Sequence, residues 1–150
     1  MQETILNKLR QEHRELDALL QEIELAKTSK LREELFTRYK EEMIPHMEGE
    51  EITLYAKLRD EVPGEYTLRI VEGNNQEHHQ MKELIQKLNF LNVESKEWFE
   101  TFLELKHLCS MHVEHEEGKL FAEAKEDFSP DELEQFACDF EEAKHHHMSS

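Results

Sequence analysis

Glycine and proline are scarce in this chain, four and three residues among 150. So little punctuation leaves long helices as the reading, and 150 residues is the size of one domain with a real apolar core. Positive charge is also short: 18 basic residues face 35 acidic ones, for a formal net charge of −17. Such a surface repels phosphate backbones and anionic lipid, which excludes nucleic acid and membrane surfaces as expected partners. No apolar run approaches the ~18 residues of a membrane span. The start, "MQETILNKLRQEHREL", is too charged for a signal peptide, so a cytoplasmic protein is expected. The two cysteines, Cys109 and Cys138, lie outside any CxxC pattern and are expected as free thiols, without redox chemistry.

What is present is a set of apolar stripes stepping by three and four residues, the period of a helix face. The first runs Ile5 (or Leu6), Leu9, His13, Leu16, Leu20, Ile23 and fades in "KTSK" at 27–30. A second takes Leu35, Tyr39, Met43, His46, Glu50, Leu54, Leu58 and stops at Val62-Pro63-Gly64, a helix breaker. Val71, Asn74, His78, Met81, Ile85 and Leu88 form a third. The fourth, capped by Ser95, carries Phe102, Leu105, Cys109, His112, Glu116 and Leu120. "SPDE" at 129–132 is a capping box for a short fifth helix with Leu133, Phe136 and Phe140. Short connections between long neighbours imply antiparallel packing. The expectation is an all-α, up-down-up-down four-helix bundle over 1–128, a packed C-terminal helix over 129–143, and a disordered tail over 144–150.

These stripes ought to be apolar throughout, yet each is interrupted near its middle by a histidine. His13, His46, His78 and His112 recur every 32 to 34 residues, which in antiparallel helices rising ~1.5 Å per residue brings them to one depth. Two stripes also carry a glutamate one turn on, in "HMEGEEITLY" from His46 and "HVEHEEGKLF" from His112. Partners four apart stack on one helix face, so Glu50 joins His46 and Glu116 joins His112. Two carboxylates among four imidazoles in an apolar core are costly unless cations neutralise them. Four nitrogen donors and two carboxylates suit two divalent ions, and the donor types favour iron, manganese or zinc over calcium or magnesium. Such a set leaves coordination positions for a small ligand.

At these residues the chain resembles a known family. "LRQEHRELDALL", "HMEGEEITLYAKL", "EHHQMKELIQKL" and "HVEHEEGKLF" are similar to the four signature segments of hemerythrin-like, or HHE cation-binding, domains, over about residues 2 to 126. The resemblance implies a centre of two iron ions with carboxylate bridges that binds dioxygen or another diatomic such as nitric oxide. Carried over by position, its ligands are His13, His46, Glu50, His78, His112 and Glu116. Two departures stand out. Oxygen-carrying hemerythrins place two histidines four apart on the third helix, where this chain has Asn74 upstream of His78, and a histidine and an aspartate five apart on the fourth. Both departures resemble the broader HHE branch of iron sensors and iron-sulfur cluster repair proteins. That branch favours sensing, storage or scavenging over transport. Repair or a nitric oxide stress role is the runner-up, weakened because the chain opens directly in its first helix, without the cysteine-containing segment usual in repair proteins.

Other polar residues are read as surface: His79, about 100° off the stripe, His107 and His115, with Glu51 and Glu117 as rim charges. Asp17 is expected either to orient an imidazole or to pair on the surface with Arg14, and Pro45 to kink the second helix. His145 to His147 read as a tail. A ferritin-like oxidase would need Glu-x-x-His on two helices, and Glu104 to His107 is the one clear instance inside the bundle, off the stripe. A structural or interaction bundle leaves the four polar interruptions unaccounted for. No catalytic residue is assigned, and no protein partner.

Overall fold

The structure is a computed structural model that describes residues 3–149, with side chains through 145. Among the described residues there are helices and turns but no strand. In chain order these are α1 (Ile5–Leu25), α2 (Ser29–Glu50), a π-helical turn (Glu51–Tyr55), α3 (Ala56–Glu61), α4 (Glu65–Phe90), α5 (Lys96–His115), a second π-helical turn (Glu116–Leu120), α6 (Phe121–Asp127) and α7 (Pro130–Ser149). None is long and apolar enough to cross a membrane.

Local chemistry sets the boundaries. Thr4, Thr28 and Ser95 each accept, through the side-chain oxygen, the backbone N–H three residues on, the cap that an initial turn needs. Ser129 and Glu132 bond each other's backbone N–H reciprocally, the expected capping box. Arg32 closes the end of α1 by donating to the carbonyls of Ile23, Glu24 and Ala26. Gly64, between α3 and α4, has φ 115°, where a side chain would be strained. Pro45 lies within α2, and the helix continues through it.

The buried apolar residues form two clusters. One holds Ile5, Leu6 and Leu9 of α1, Leu54, Tyr55 and Leu58, Val71, Leu120 and Phe121, and Leu133, Phe136 and Phe140 of α7. The other holds Leu16, Leu20 and Ile23 with Tyr39, Met43, Met81, Ile85, Leu88, Phe102, Leu105 and Cys109. On every stripe the histidine falls between members of the two clusters, so the polar residues form a layer dividing the core. Phe36 takes the buried place expected for Leu35, which is half-buried.

The two π turns begin one residue after Glu50 and at Glu116. Successive steps of four, His46 to Glu50 to Leu54 to Leu58, each overshoot an α-helical turn by about 40°. A π turn absorbs one extra residue and returns the row to the core. Leu54, Tyr55, Leu120 and Phe121 are consequently all buried.

α7 is longer than the 129–143 expected for it. It continues through 144 and 145 to Ser149, where a disordered tail was expected, because Lys144 is anchored to Glu12 and Glu141; Ser150 lies outside the described residues. The side chains of His146 and His147 also lie outside them. α7 packs on α1, α2 and the first π turn. Gly49 permits that approach, for a Cβ there would stand 2.8 Å from Phe140 Cε1. Gly→Ala within a helix ordinarily gains about 0.5–1 kcal/mol. Here the overpacking term, roughly 1–3 kcal/mol, opposes it. Gly49→Ala should therefore lower the melting temperature, and a variant melting higher than the parent would show that α7 is not seated against α2.

Candidate metal centre

Six polar residues meet in the layer between the two clusters, all buried: His13, His46, Glu50, His78, His112 and Glu116. The structure thus brings together the six residues singled out in the sequence. Their rings fall into two pairs, His13 with His46 at 5.0 Å and His78 with His112 at 4.6 Å between centroids. Each imidazole turns its Nε2 inward. His46 Nε2 and His78 Nε2 lie 3.3 and 3.1 Å from Glu50 Oε1. His112 Nε2 lies 3.0 Å from Glu116 Oε2. His13 Nε2 stands between the carboxylates, 3.4 Å from Glu116 and 3.6 Å from Glu50. Two groups result whose donor atoms could hold an ion, Glu50-His78-His112-Glu116 and His13-His46-Glu50.

Every outward Nδ1 meets a carboxylate. His13 pairs with Glu117 at 2.7 Å, His46 with Glu12 at 2.8 Å, His78 with Glu51 at 2.9 Å and His112 with Glu77 at 2.8 Å. An acceptor there fixes the proton on Nδ1 and leaves the Nε2 lone pair facing inward, the arrangement by which carboxylates orient metal-binding imidazoles. The 3.0 Å approach of His78 Nε2 to His112 Nε2 then requires either a proton on one of the two nitrogens or a metal ion between them.

The pairings follow the internal repeat. Glu12-His13 and Glu77-His78 are corresponding dipeptides, as are Glu50-Glu51 and Glu116-Glu117. Glu12 and Glu77 brace the second histidine of their own half, whereas Glu117 and Glu51 reach across to the first histidine of the other half. Glu51 and Glu117, expected as rim charges, are therefore hydrogen-bonded supports. Glu12 and Glu77 went unrecognised in the sequence, although each directly precedes a stripe histidine. His115 is half exposed, as expected, but also bonds Glu77 at 2.7 Å. Asp17 accepts from Gln21 rather than from an imidazole. His79 is exposed and pairs with Glu83, and His107 is exposed.

Tyr55 is a further group the stripes did not reveal. Its hydroxyl donates to Glu116, stands 3.4 Å from His78 Nε2, and its ring stacks on His78. The matching residue of the second half is Phe121, which faces His13. Asn74, on the stripe one turn before His78, donates to the Ile70 carbonyl, and its Oδ1 has no partner. A cavity of about 320 Å³ reaches the layer from the side of α1, α2 and α5, bordered by Leu16, Leu20, Tyr39, Met43 and Cys109 together with His13, His46 and His112.

Electrostatics in the layer favour charge on three of its imidazoles, His13, His46 and His112, set among carboxylates. Burial opposes a charged His112, but Glu116 and Glu77 hold it up to about 9. His13 and His46 are likewise raised against burial, by Glu116, Glu117 and Glu50 and by Glu50 and Glu12. Burial alone would raise Glu50, yet the histidines hold its carboxyl well below the usual range. Burial and the neighbouring carboxylates push the Tyr55 phenol well up, which keeps it a donor. Burial also takes the Cys109 thiol up to about 12, and Cys138 is exposed; both are free.

A metal fits this donor set. Protonated imidazoles and the Tyr55 hydroxyl are what the chain itself offers its buried carboxylates, and both Glu50 oxygens, Glu116 Oε1 and His13 Nε2 still lack a hydrogen-bond partner. A helical protein whose core is divided by imidazoles and paired carboxylates has the makings of a metal-binding protein. Residues 4–124 match the hemerythrin HHE cation binding domain family, and the chain belongs to that family. A crystal structure of a hemerythrin HHE cation binding domain-containing protein from Mycobacterium kansasii superposes with a TM-score of 0.83 at 17% identity, covering 98% of this chain and 88% of that one. At that identity the likeness shows the fold. A Nostoc sp. protein described as a DNA nickase is 26% identical over 140 residues, 91% of this chain but 38% of that protein. The chain thus spans well under half of that relative's length.

The charge pattern predicts how the metal-free chain responds to pH. A raised imidazole contributes fully below its ordinary value near 6.5, and His112 loses its contribution as the pH climbs through about 9. A lowered carboxyl, as in Glu50, Glu12 and Glu77, contributes fully above its ordinary value of 4.5 and loses that contribution as the pH falls. The melting temperature of the metal-free chain should be highest between about pH 4.5 and 6.5 and decline toward 9. Rising stability from pH 6.5 to 9 would contradict charged imidazoles in the layer.

Proposed function

We propose that the polar layer holds two metal ions, His13 and His46 serving one, His78 and His112 the other, with Glu50 and Glu116 shared between them. The observation that carries this reading is the convergence of four inward Nε2 atoms on two buried carboxylates, three of whose four oxygens lack a hydrogen-bond partner, the fourth accepting from Tyr55. Imidazole with carboxylate suits iron, manganese or zinc, and the resemblance to hemerythrin-like domains favours iron among them. The arrangement that fits such a centre is the four-helix bundle, α1, α2, α4 and α5 running up-down-up-down with α7 added against it. Two ferrous ions would supply electrons to a bound diatomic. The chain's own part is to orient the imidazoles through Glu12, Glu51, Glu77 and Glu117, to keep Tyr55 protonated beside Glu116, and to keep water from most of the layer.

The function that follows is binding of dioxygen or another diatomic such as nitric oxide, for sensing, storage or scavenging. Leu16, Leu20, Met43 and Val113 give the cavity beside His13, His46 and His112 an apolar side that suits a small uncharged ligand, while Arg14, Asp17 and Glu117 also border it. Asn74 supports sensing or scavenging over transport: it stands one turn from His78, where a second third-helix imidazole would add a strong donor. The nicking activity in the Nostoc relative's description is not carried over, because the strong negative charge opposes nucleic acid and most of that relative's length has no counterpart here.

Elemental analysis and optical spectra of the anaerobically reduced chain, before and after each gas, test the reading. Two irons per chain, a new visible band with either gas, and a drift to an oxidised form under oxygen are expected. Fewer than two ions after loading, or a spectrum that neither gas alters, would overturn it.

A further inference from the structure

α7 lies beyond the residues that match the family, 4–124, yet its side chains reach the polar layer. Phe140, fully buried, stands edge-on to the His46 ring at 6.0 Å between centroids. It occupies the space that Gly49 leaves by lacking a Cβ. One turn on, Lys144 donates to Glu12 Oε2, and the other oxygen of that carboxylate accepts from His46 Nδ1 at 2.8 Å. Lys144 Nζ also lies 4.8 Å from the centre of the Phe140 ring and 3.3 Å from Glu141, which pairs with Lys8 of α1 at 2.6 Å. The Glu12 carboxylate is thereby held at both oxygens, and α7 is held to α1 at two points.

The other half of the repeat is braced differently. Glu77 holds His112 with one oxygen and is met on the other by His115 of α5, which is 51% exposed, whereas Lys144 is 18% exposed. His115 is the repeat's counterpart of Gly49. Where one half has a half-exposed side chain, the other has a gap filled by a separate helix. The two histidines occupy matching positions but receive support of different origin and burial.

We propose that α7 is a latch on His46, with Lys144 as the positioning residue and Phe140 as its seat, so that α7 governs how tightly one of the two metal ions is retained. The consequence for retention rests on the metal reading above; the positioning of the ring does not. A ring braced by a doubly held carboxylate keeps its Nε2 aimed into the layer. Once Lys144 is gone, Glu12 is free to turn toward solvent and the ring loses its outer anchor. Supports of this kind change metal affinity by about 10- to 100-fold when removed. The loss should fall on the ion served by His13 and His46 and spare the other.

The test compares the full chain with Lys144→Met, which keeps the stem and removes the charge, and with Lys144→Arg, which restores a donor. Glu12→Gln is a second route to the same break, since glutamine retains an acceptor for His46 without the ion pair. Ring nitrogen and proton resonances of the metal-free chain should move for His46 and stay in place for His112 in Lys144→Met, and return toward the parent in Lys144→Arg. In the iron-loaded chain, one of two ions should leave to a chelator about 10- to 100-fold faster in Lys144→Met while the other keeps its rate. Equal acceleration of both ions would overturn the latch, as would unchanged extraction or a His112 signal that moves as far as that of His46. A parent chain that takes up no metal would overturn the metal reading, and the resonance comparison would then decide the latch alone.

Discussion

Two carboxylates with no exposure to solvent, Glu50 and Glu116, set the terms for the rest of this molecule. A charged carboxylate buried without compensation costs many kcal/mol, so it must be neutralised, paired with a cation or bound to a metal. Four helices contribute a histidine each at that depth for this reason. The apolar core is accordingly split in two, and the apolar clusters above and below the layer exclude water from it. With protons alone, imidazolium and carboxylate can satisfy the layer only in part, since Glu50, Glu116 Oε1 and His13 Nε2 stand in ion-pair contact at 3.1 to 3.6 Å without a hydrogen bond. Divalent ions would satisfy it more fully, and metal binding and folding should be thermodynamically coupled.

The repeat shows how the chain builds such a layer twice from one pattern. A dipeptide Glu-His on one helix and His-x-x-x-Glu-Glu on the next place two imidazoles, one inward carboxylate and two outward ones. Because Glu51 braces His78 and Glu117 braces His13, neither half completes its own support. The π turns belong to the same pattern. They sit where steps of four would otherwise carry Leu54 and Leu120 away from the core. Symmetry is broken at two places only lightly marked in sequence: Tyr55 against Phe121, and Gly49 with α7 against His115.

The inward residues were legible because burial imposes periodicity. Each lies on a stripe with apolar neighbours three and four residues away, and a polar residue there conflicts with its surroundings. Helix ends were legible where capping chemistry is local, as at Ser95 and Ser129. Their outward partners were not. Glu12 and Glu77 sit about 100° from the stripe, among many other acidic residues, and their bonds depend on how neighbouring helices are rotated. The same applies to Glu51 and Glu117. Tyr55 passed as an ordinary core aromatic, since its hydroxyl partner comes from a segment 61 residues away. The π turns did leave a trace, the unbroken steps of four from His46 to Leu58 and from His112 to Leu120. α7 outran its expected length because its last anchor, Lys144, is held by a residue of the first helix.

The central claim is that a pair of cations belongs between these two carboxylates. Anomalous diffraction at the iron edge from crystals of the iron-loaded chain addresses it directly. The account predicts two peaks about 3.5–4 Å apart, one beside His13 and His46, the other beside His78 and His112, with Glu50 and Glu116 between them. A single peak, or iron bound only at the acidic surface with the layer left to protons, would contradict it.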